Sequence, residues 1–358
     1  MTIALQCPAA VRIERYADVR AALLDARLVI HKPLDNPDGE DTRDPMSEPP
    51  VHSRSRRLAP LSRIMSDQLS RSAVARIAAR AAALAAGFLE QGSRRGEMDL
   101  VADLAFPLPF TVMLDLLGLP HVEASEFRPL FAAISAGQDV VSTESQRTTA
   151  RFAERAIMRW VARHLDASPS PLVAAIRSTT APSGRERALQ YWCAMLLHAG
   201  STTTRGFIAN CLARLVENPD EAETLRNNPG HLDSAIEELL RVEGPVRLLG
   251  RVAREDLIVG DRHVPRSALV HLHLHKANRD PAWFAEPDRV DFLRNPNPHL
   301  AFGLGATYCL GSHLARLEAR TVLQVLLPQI ARMQLAARPQ WSSSHVLREC
   351  SRLAVRFH

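Results

Sequence analysis

Lysine is almost missing from this chain. Of the 44 basic residues in the 358-residue sequence, only Lys32 and Lys276 are lysine, and the others are arginine. The arginines are spread along the chain and form no basic tail, so the net charge of +5 is weak evidence for nucleic-acid binding. We expect no nucleic-acid partner.

Cysteine pairs and long apolar runs are missing as well. The five cysteines are odd in number, far apart and without a Cys-x-x-Cys, which argues against a disulfide framework and a zinc site. There is no apolar stretch of about eighteen residues, and the N-terminus lacks a basic segment followed by an apolar one. We therefore expect a cytoplasmic protein in a reducing compartment, with no contact to a membrane.

What is present is the composition of a globular protein. Hydrophobic residues make up 46% of the chain, enough for a sizeable core. Apolar residues recur at three-to-four spacing and predict helices over 16–26, 56–92, 101–118, 123–137, 144–165, 184–217, 230–242 and 312–333. Strand-like runs are short and lie near Val11–Glu14, Arg251–Val259, Ala268–Leu274 and Leu347–Phe357. The prediction is a mainly α fold with small β-sheets.

Two stretches lack helical periodicity. Residues 31–50 are rich in Pro, Asp and Gly, which predicts a loop, and a long loop in a compact domain is often functional. Residues 167–183 are predicted to form a surface connection. Since no repeat and no linker divides the chain, we predict a single domain over 1–358.

Cys309 lies in a glycine-containing loop directly before a predicted helix. Gly303, Gly305 and Gly311 bracket it. Glycines permit a tight turn that brings backbone close to a flat ligand and aims N–H groups at the sulfur. The start of a helix favours a thiolate over a thiol. Taken alone, the segment fits either a metal-bound thiolate or a buried free cysteine.

The segment from His198 to Thr204 interrupts an apolar helical pattern that covers about 188–217. It contains Gly200, Thr202 and Thr203. Gly and Thr are poor helix formers, because Gly costs backbone entropy and Thr hydroxyls compete for backbone carbonyls. Such local weakness often marks a site. The alternative is a patch of small residues for close helix packing.

The cysteine loop resembles that of a known family. Phe302-Gly303-x-Gly305-x-x-x-Cys309-x-Gly311 is similar to the haem-binding loop of the cytochrome P450 superfamily, in particular its soluble bacterial members. The resemblance implies a P450-like helical fold. It also implies a haem b whose iron is bound by the Cys309 thiolate, with Phe302 and the three glycines shaping the loop.

The resemblance extends in order over nearly the whole chain. Glu238-x-x-Arg241 matches the family's E-x-x-R pair, whose members share a helix face at i, i+3. The segments Ala277–Pro281 and Pro287–Arg289 lie between this pair and the cysteine. By resemblance, Arg289 joins Glu238 and Arg241 in a buried structural triad.

The resemblance also assigns roles around the haem. It implies that His52, Arg56 and Arg251 bind the propionates; without the family, they are merely basic surface residues. It further implies that Gly200 leaves room for dioxygen above the iron and that Thr203 relays protons to it.

Three features depart from the family. Thr202 replaces the usual acid, and its hydroxyl can pass a proton but cannot supply one by titration. Either ordered water or His198 then supplies the proton, or the reaction needs fewer protons. Thr307 stands where a propionate-binding His or Arg is common and offers a neutral hydrogen bond. The family's early helix begins here at Tyr16, after a shorter lead-in, so we expect an uncovered strand edge and a lower stability.

Together these features predict a haem-thiolate monooxygenase that oxidises a small organic substrate, of the secondary-metabolite kind, with dioxygen. The chain has no flavin or nicotinamide fingerprint, so we expect electrons from a ferredoxin and a ferredoxin reductase. The basic residues expected on the cysteine side suit an acidic ferredoxin; they are Arg54, Arg57, His313 and Arg316.

Other functions stay open at this point. Thr202 favours an atypical haem-thiolate enzyme that couples, desaturates or uses peroxide. The short lead-in and the missing acid favour a non-catalytic haem-fold scaffold. Arg247, in the expected pocket wall, either meets a carboxylate or the phosphopantetheine-type anion of a carrier-protein partner, or points outward.

Overall fold

The computed structural model describes residues 10–30, 59–179 and 185–358. The predicted loop over 31–50 and the predicted propionate ligands His52 and Arg56 lie outside the described residues, as do Arg54 and Arg57.

Helices dominate the described part of the chain, as predicted. They are α1 (Tyr16–Leu24), α2 (Ala59–Gln68), α3 (Arg71–Ala75), α4 (Ala78–Arg95), α5 (Pro107–Leu117), α6 (Ala124–Gly137), α7 (Glu144–Ala162), α8 (Pro171–Thr179), α9 (Arg185–Glu217), α10 (Pro219–Asn227), α11 (Leu232–Glu243), α12 (Leu274–Ala277) and α13 (Ser312–Leu326). A π-helical turn (Val101–Ala105) precedes α5, and short 3-10 turns cover Pro229–His231, Gly305–Thr307 and Leu327–Arg332.

The strands form small sheets, again as predicted. They are β1 (Val11–Ile13), β2 (Leu28–Ile30), β3 (Glu97–Asp99), β4 (Leu249–Ala253), β5 (Leu257–Val259), β6 (Arg262–Val264), β7 (Leu269–Leu272), β8 (Met333–Leu335), β9 (Gln340–Trp341), β10 (Cys350–Arg352) and β11 (Ala354–Phe357). The largest sheet has the order β1-β7-β4-β2, with β1 parallel to β7 and the other pairs antiparallel. β3-β11-β8 form a second sheet, and β5-β6 and β9-β10 are two-stranded.

Local sequence explains several helix ends. Thr143 and Gln146 form a capping box at the start of α7, because each side chain accepts a hydrogen bond from the other residue's backbone N–H. Gly96 and Gly118 end α4 and α5 with φ of 75° and 59°, in the left-handed region that favours glycine.

Several helix predictions differ from the structure: α10 and α12 were not predicted, and the helix predicted over 312–333 ends at Leu326. The single helix predicted from 56 to 92 is divided into α2, α3 and α4, because Ser70 caps a new helix by accepting a hydrogen bond from the Ala73 N–H. The predicted surface connection over 167–183 contains α8, whose residues Leu172, Val173 and Ile176 are buried in the core. Its prolines precede or begin the helix, and Pro is well tolerated in a first turn.

No single helix in these ranges is long and apolar enough to cross a membrane, whereas the bent pair 63–75 and 78–95 passes on length and composition alone.

Two hydrophobic clusters meet at the cysteine loop. The larger cluster lies among the helices, with α9 packed against α5, α7, α8 and α13. The smaller one lies against the four-stranded sheet and α1. Phe302 and Leu310 pack on the larger cluster, while Leu304 packs on the smaller one. The loop that carries Cys309 is therefore held from both sides.

Candidate functional site

The cysteine loop has the tight turns that its glycines predict. The Cys309 N–H donates a hydrogen bond of 2.9 Å to the Phe302 carbonyl. Gly303 and Gly305 have φ of 70° and 67°, where side chains are strained. A Cβ on Gly305 would also come within 2.8 Å of Leu24 Cδ2 in α1. The loop needs glycine at 305 for both backbone angle and space.

The charge state of Cys309 corrects the sequence-based expectation. Burial raises the pKa of the Cys309 thiol above its ordinary value, although the Gly311 N–H and the charge of Arg316 act in the opposite direction. The start of α13 therefore does not by itself make a thiolate here. Metal coordination deprotonates a thiol outright, so the anion belongs to the metal-bound form.

An ion-paired cluster packs against the loop that carries Cys309. The Arg316 guanidinium sits 4.6 Å from the centre of the Phe302 ring and donates to both Glu237 oxygens, at 2.6 and 2.7 Å. His299 Nε2 lies 3.1 Å from Glu237. Although burial alone would raise it, these hydrogen bonds lower the pKa of Glu237 to about 2. The cluster therefore packs a cation that is already paired with Glu237 on the Phe302 ring.

Arg251 is a buried cation without an anionic partner in the described part of the chain. It is 4% exposed, and its guanidinium donates to two neutral acceptors, the Gly250 carbonyl at 2.8 Å and Thr307 Oγ1 at 3.3 Å. No carboxylate in the described ranges pairs with it, and burial lowers its pKa to about 10. A buried charge is costly unless paired. Arg251 and Thr307 thus fit the acidic group of a bound haem, as the resemblance implies.

One side of α9 is open within an otherwise buried helix. Ala199 is exposed and Thr203 partly so, one turn apart, while most of their neighbours are buried. The Thr203 hydroxyl donates to the Ala199 carbonyl at 3.1 Å. A Cβ on Gly200 would lie 2.6 Å from Met113 Sδ, so this glycine permits the close approach of α5. That contact favours the helix-packing interpretation of Gly200, and its role toward dioxygen stays a prediction.

Thr202 and His198 lie on a different side of α9 from Thr203. Thr202 is 2% exposed, and its hydroxyl has no hydrogen-bond partner among the described residues. The His198 ring packs edge-on against Phe131 of α6, with 5.1 Å between ring centres, and burial lowers its pKa to about 4. Thr203 follows His198 by five positions on the helix, which places the two about 140° apart around the axis. These contacts favour a packing role for His198 over a proton relay to Thr203.

The buried structural triad has a different third member from the one expected. Arg241 pairs with Glu238 at 2.8 Å, and both side chains are fully buried. Arg294, not Arg289, completes the cluster, with its Nε 3.1 Å from Glu238. Arg289 contributes its carbonyl to Arg241 at 3.1 Å, while its exposed side chain pairs with Glu286. The turn that follows directs Arg294 inward.

Sequence reasoning missed a buried amide that joins α9 to the C-terminal strands. Asn210 Nδ2 donates to the carbonyls of Glu243 and Arg348, both at 2.9 Å, and its Oδ1 accepts from the Cys350 N–H at 2.8 Å. An Asn in an otherwise apolar helical stretch was the available signal.

Metal ligands other than Cys309 are not grouped in the structure. Within the described ranges, no three or more His, Cys, Asp or Glu side chains are placed to hold a metal ion. A single thiolate suits an iron already held by a macrocycle and does not suit a protein-bound zinc, which takes about four ligands.

Comparison with known proteins agrees with this donor set. The family model described as Cytochrome P450 matches residues 184–329. The chain is 32% identical to cytochrome P450 107B1 of Saccharopolyspora erythraea, over 96% of this chain and 88% of that protein. It is 31% identical to nocardicin C N-oxygenase of Nocardia uniformis subsp. tsuyamanensis, with the same two coverages.

A solved structure of similar fold is that of P450BioI in complex with an acyl carrier protein ligated to hexadec-9Z-enoic acid. The TM-score is 0.87 at 27% identity, and the match covers 97% of this chain and 91% of that one. The helical fold with small sheets predicted from the cysteine loop is thereby confirmed as a P450 fold.

Proposed function

Since this chain belongs to the cytochrome P450 superfamily, a family of haem b monooxygenases with a cysteine thiolate on the iron, we propose that it oxidises a small secondary-metabolite intermediate with dioxygen. The observation that carries the proposal is Arg251, a buried guanidinium without an anionic partner in the described ranges, in contact with the loop that bears Cys309. Cys309 would bind the iron, and Arg251 with Thr307 would hold a propionate. His52 and Arg56, outside the described residues, are the further proposed propionate partners.

When bound, haem supplies an iron centre that can activate dioxygen. The protein residues then position the thiolate and limit the access of water to it. Gly311 donates its N–H toward the Cys309 sulfur, and Arg316, paired with Glu237, packs on the ring of Phe302, whose carbonyl accepts from the Cys309 N–H. Such contacts restrain a thiolate's electron donation and its access to water. On α9, the Thr203 proton points to the Ala199 carbonyl, which leaves its oxygen free to accept from a water or a substrate hydroxyl on the open side.

Thr202 supports a second candidate function. Its neutral hydroxyl stands where the family usually has an acid and cannot supply a proton by titration, and it has no hydrogen-bond partner among the described residues. A reaction with peroxide, or an oxidative coupling or desaturation, makes a different demand on proton delivery. The comparison of turnover with a ferredoxin system and with hydrogen peroxide separates the two candidates.

The proposed partners follow from chemistry and from the relatives. We propose that a ferredoxin, with its reductase, docks on the side of α13 that carries the exposed His313. A carrier-protein partner is suggested by the acyl carrier protein in the P450BioI complex. Cys193, Cys211, Cys309 and Cys350 are free thiols, which supports the proposed cytoplasmic location.

The absorption spectrum of the reduced, carbon monoxide-bound protein tests the proposal. We expect the red-shifted band of a haem thiolate, and its loss in Cys309→Ala. The matched control is Cys350→Ser, which removes a buried thiol remote in sequence. A haem-free purified protein, or an unchanged band in Cys309→Ala, would refute the assignment.

A further inference from the structure

Arg247 is exceptional among the arginines that the structure describes. Every other partly or fully buried arginine in these ranges, apart from Arg251, lies within 4.0 Å of a carboxylate, Arg205 and Arg348 among them. Arg251 is explained by a haem propionate. Arg247 is partly buried, four residues earlier on the same segment, and no described carboxylate pairs with it.

The backbone of Arg247 is fixed from both sides. Its N–H donates to the Val346 carbonyl at 2.8 Å. Its carbonyl accepts two bonds from His275, from the backbone N–H at 3.2 Å and from Nδ1 at 3.0 Å. The origin of this long side chain is therefore set by neighbours from two distant parts of the sequence.

The segment that carries Arg247 borders the site on two sides. Pro245 packs on α9 at Gly206, where an added Cβ would lie 3.1 Å from Pro245 Cβ. Gly206 is less than one helical turn from Thr203. In the other direction the segment enters β4, on which Leu249 and Arg251 share a face, since side chains alternate along a strand. Along the chain, Arg247 thus lies between Pro245, which packs on α9, and Arg251, the residue assigned to the propionate.

The chemistry of the surroundings defines the ligand. A guanidinium binds planar or tetrahedral oxyanions through two parallel N–H donors, and partial burial strengthens such a pair. Its neighbours along the chain, Val246 and Leu249, are apolar and partly buried. A ligand that suits both the guanidinium and its apolar surroundings carries one carboxylate or phosphate group on an apolar body.

We propose that Arg247 anchors the anionic end of the substrate, so that the enzyme selects amphipathic acids. This inference rests on the proposed monooxygenase function. It makes Arg247 a binding residue that sets which part of the substrate is held away from α9.

Ligand titrations of the haem-containing enzyme test it, by absorbance and by calorimetry. The probes are decanoate, decyl phosphate and 1-decanol, which share an apolar chain and differ in the end group. For the unsubstituted enzyme we expect at least one anion to bind about tenfold to a hundredfold more tightly than the alcohol. Arg247→Gln should abolish that preference, and Arg247→Lys should retain part of it. The anion that is preferred identifies carboxylate or phosphate as the recognised group.

The control is Arg254→Gln, an exposed arginine just beyond β4, which should bind all three probes as the unsubstituted enzyme does. The inference is overturned if Arg247→Gln prefers the anions as strongly as the unsubstituted enzyme does. It is also overturned if the unsubstituted enzyme prefers neither anion to the alcohol. Failure of the proposed function has a separate signature, the missing thiolate band of the carbon monoxide spectrum. Calorimetry reads probe binding without that band.

Discussion

Glu318 allows a quantitative prediction about stability and pH. This carboxyl lies on α13, nine residues after Cys309, and is completely buried. Neither of its oxygens has a hydrogen-bond partner among the described residues. Burial raises the pKa of Glu318 well above its usual range, so the folded protein retains this proton to a higher pH than the unfolded chain does.

The sign of the effect follows from proton binding. Above about pH 4.3, the ordinary pKa of Glu, the unfolded chain releases the proton that the folded chain retains. The free energy of unfolding therefore falls as pH rises, by about 1.4 kcal/mol for each pH unit until the folded-state pKa is reached. Glu318→Gln has nearly the same shape and no proton to lose. Its stability relative to the natural protein should thus increase by that amount per unit above about pH 5, until the folded-state pKa is reached.

Urea unfolding followed by circular dichroism, at several pH values in this range, measures the difference. His198, whose pKa is lowered to about 4 by burial, gives the opposite slope, because stability rises from pH 4 to its ordinary pKa. That slope is common to both proteins and cancels. The control Glu217→Gln, at the exposed end of α9, should show no such trend. The infrared band of a protonated carboxyl should disappear in Glu318→Gln. A pH-independent stability difference would refute the reasoning.

Three further substitutions test contacts of the site. Arg251→Gln should lower haem retention, measured by haem transfer to an acceptor protein; unchanged retention would contradict the propionate assignment. Asn210→Ala should lower the free energy of unfolding by about 2–4 kcal/mol, because it leaves buried backbone groups unpaired; a loss below about 0.5 kcal/mol in urea unfolding would show otherwise. Arg294→Gln should destabilise by about 2–3 kcal/mol and Arg289→Gln by less than about 0.5 kcal/mol. A larger loss of stability in Arg289→Gln than in Arg294→Gln would place Arg289 in the triad.

Much of the fold was accessible from sequence because helical periodicity is a local property. The segments that became α6, α7 and α9 were predicted nearly to their ends. The break at Ser70 was missed because apolar residues continue across it, and a cap depends on one side-chain hydrogen bond. The short helix α8 was missed because prolines before a helix resemble those of a loop.

The site was accessible only in part, for a different reason. The glycines around Cys309 predict a turn, and the structure has their positive φ values. The helix start favours a thiolate at Cys309 locally, whereas burial, which is set by the packing of distant residues, opposes it. The expected thiolate therefore belongs to the iron-bound form. The choice between Arg289 and Arg294 failed, since neither spacing nor residue type says which side chain a turn directs inward.

The difference between local sequence patterns and the packing of distant residues explains why an unpaired charge is the most informative feature of this protein. Spacing predicts that Glu238 and Arg241 meet, and they do, at 2.8 Å and without exposure to solvent. Arg251 is buried almost as deeply, yet the described chain brings it only neutral acceptors. Folding cannot keep a guanidinium in such a place at low cost unless something supplies an anion. In a chain so rich in arginine, the buried cation that finds no carboxylate therefore marks where a molecule other than the chain itself belongs.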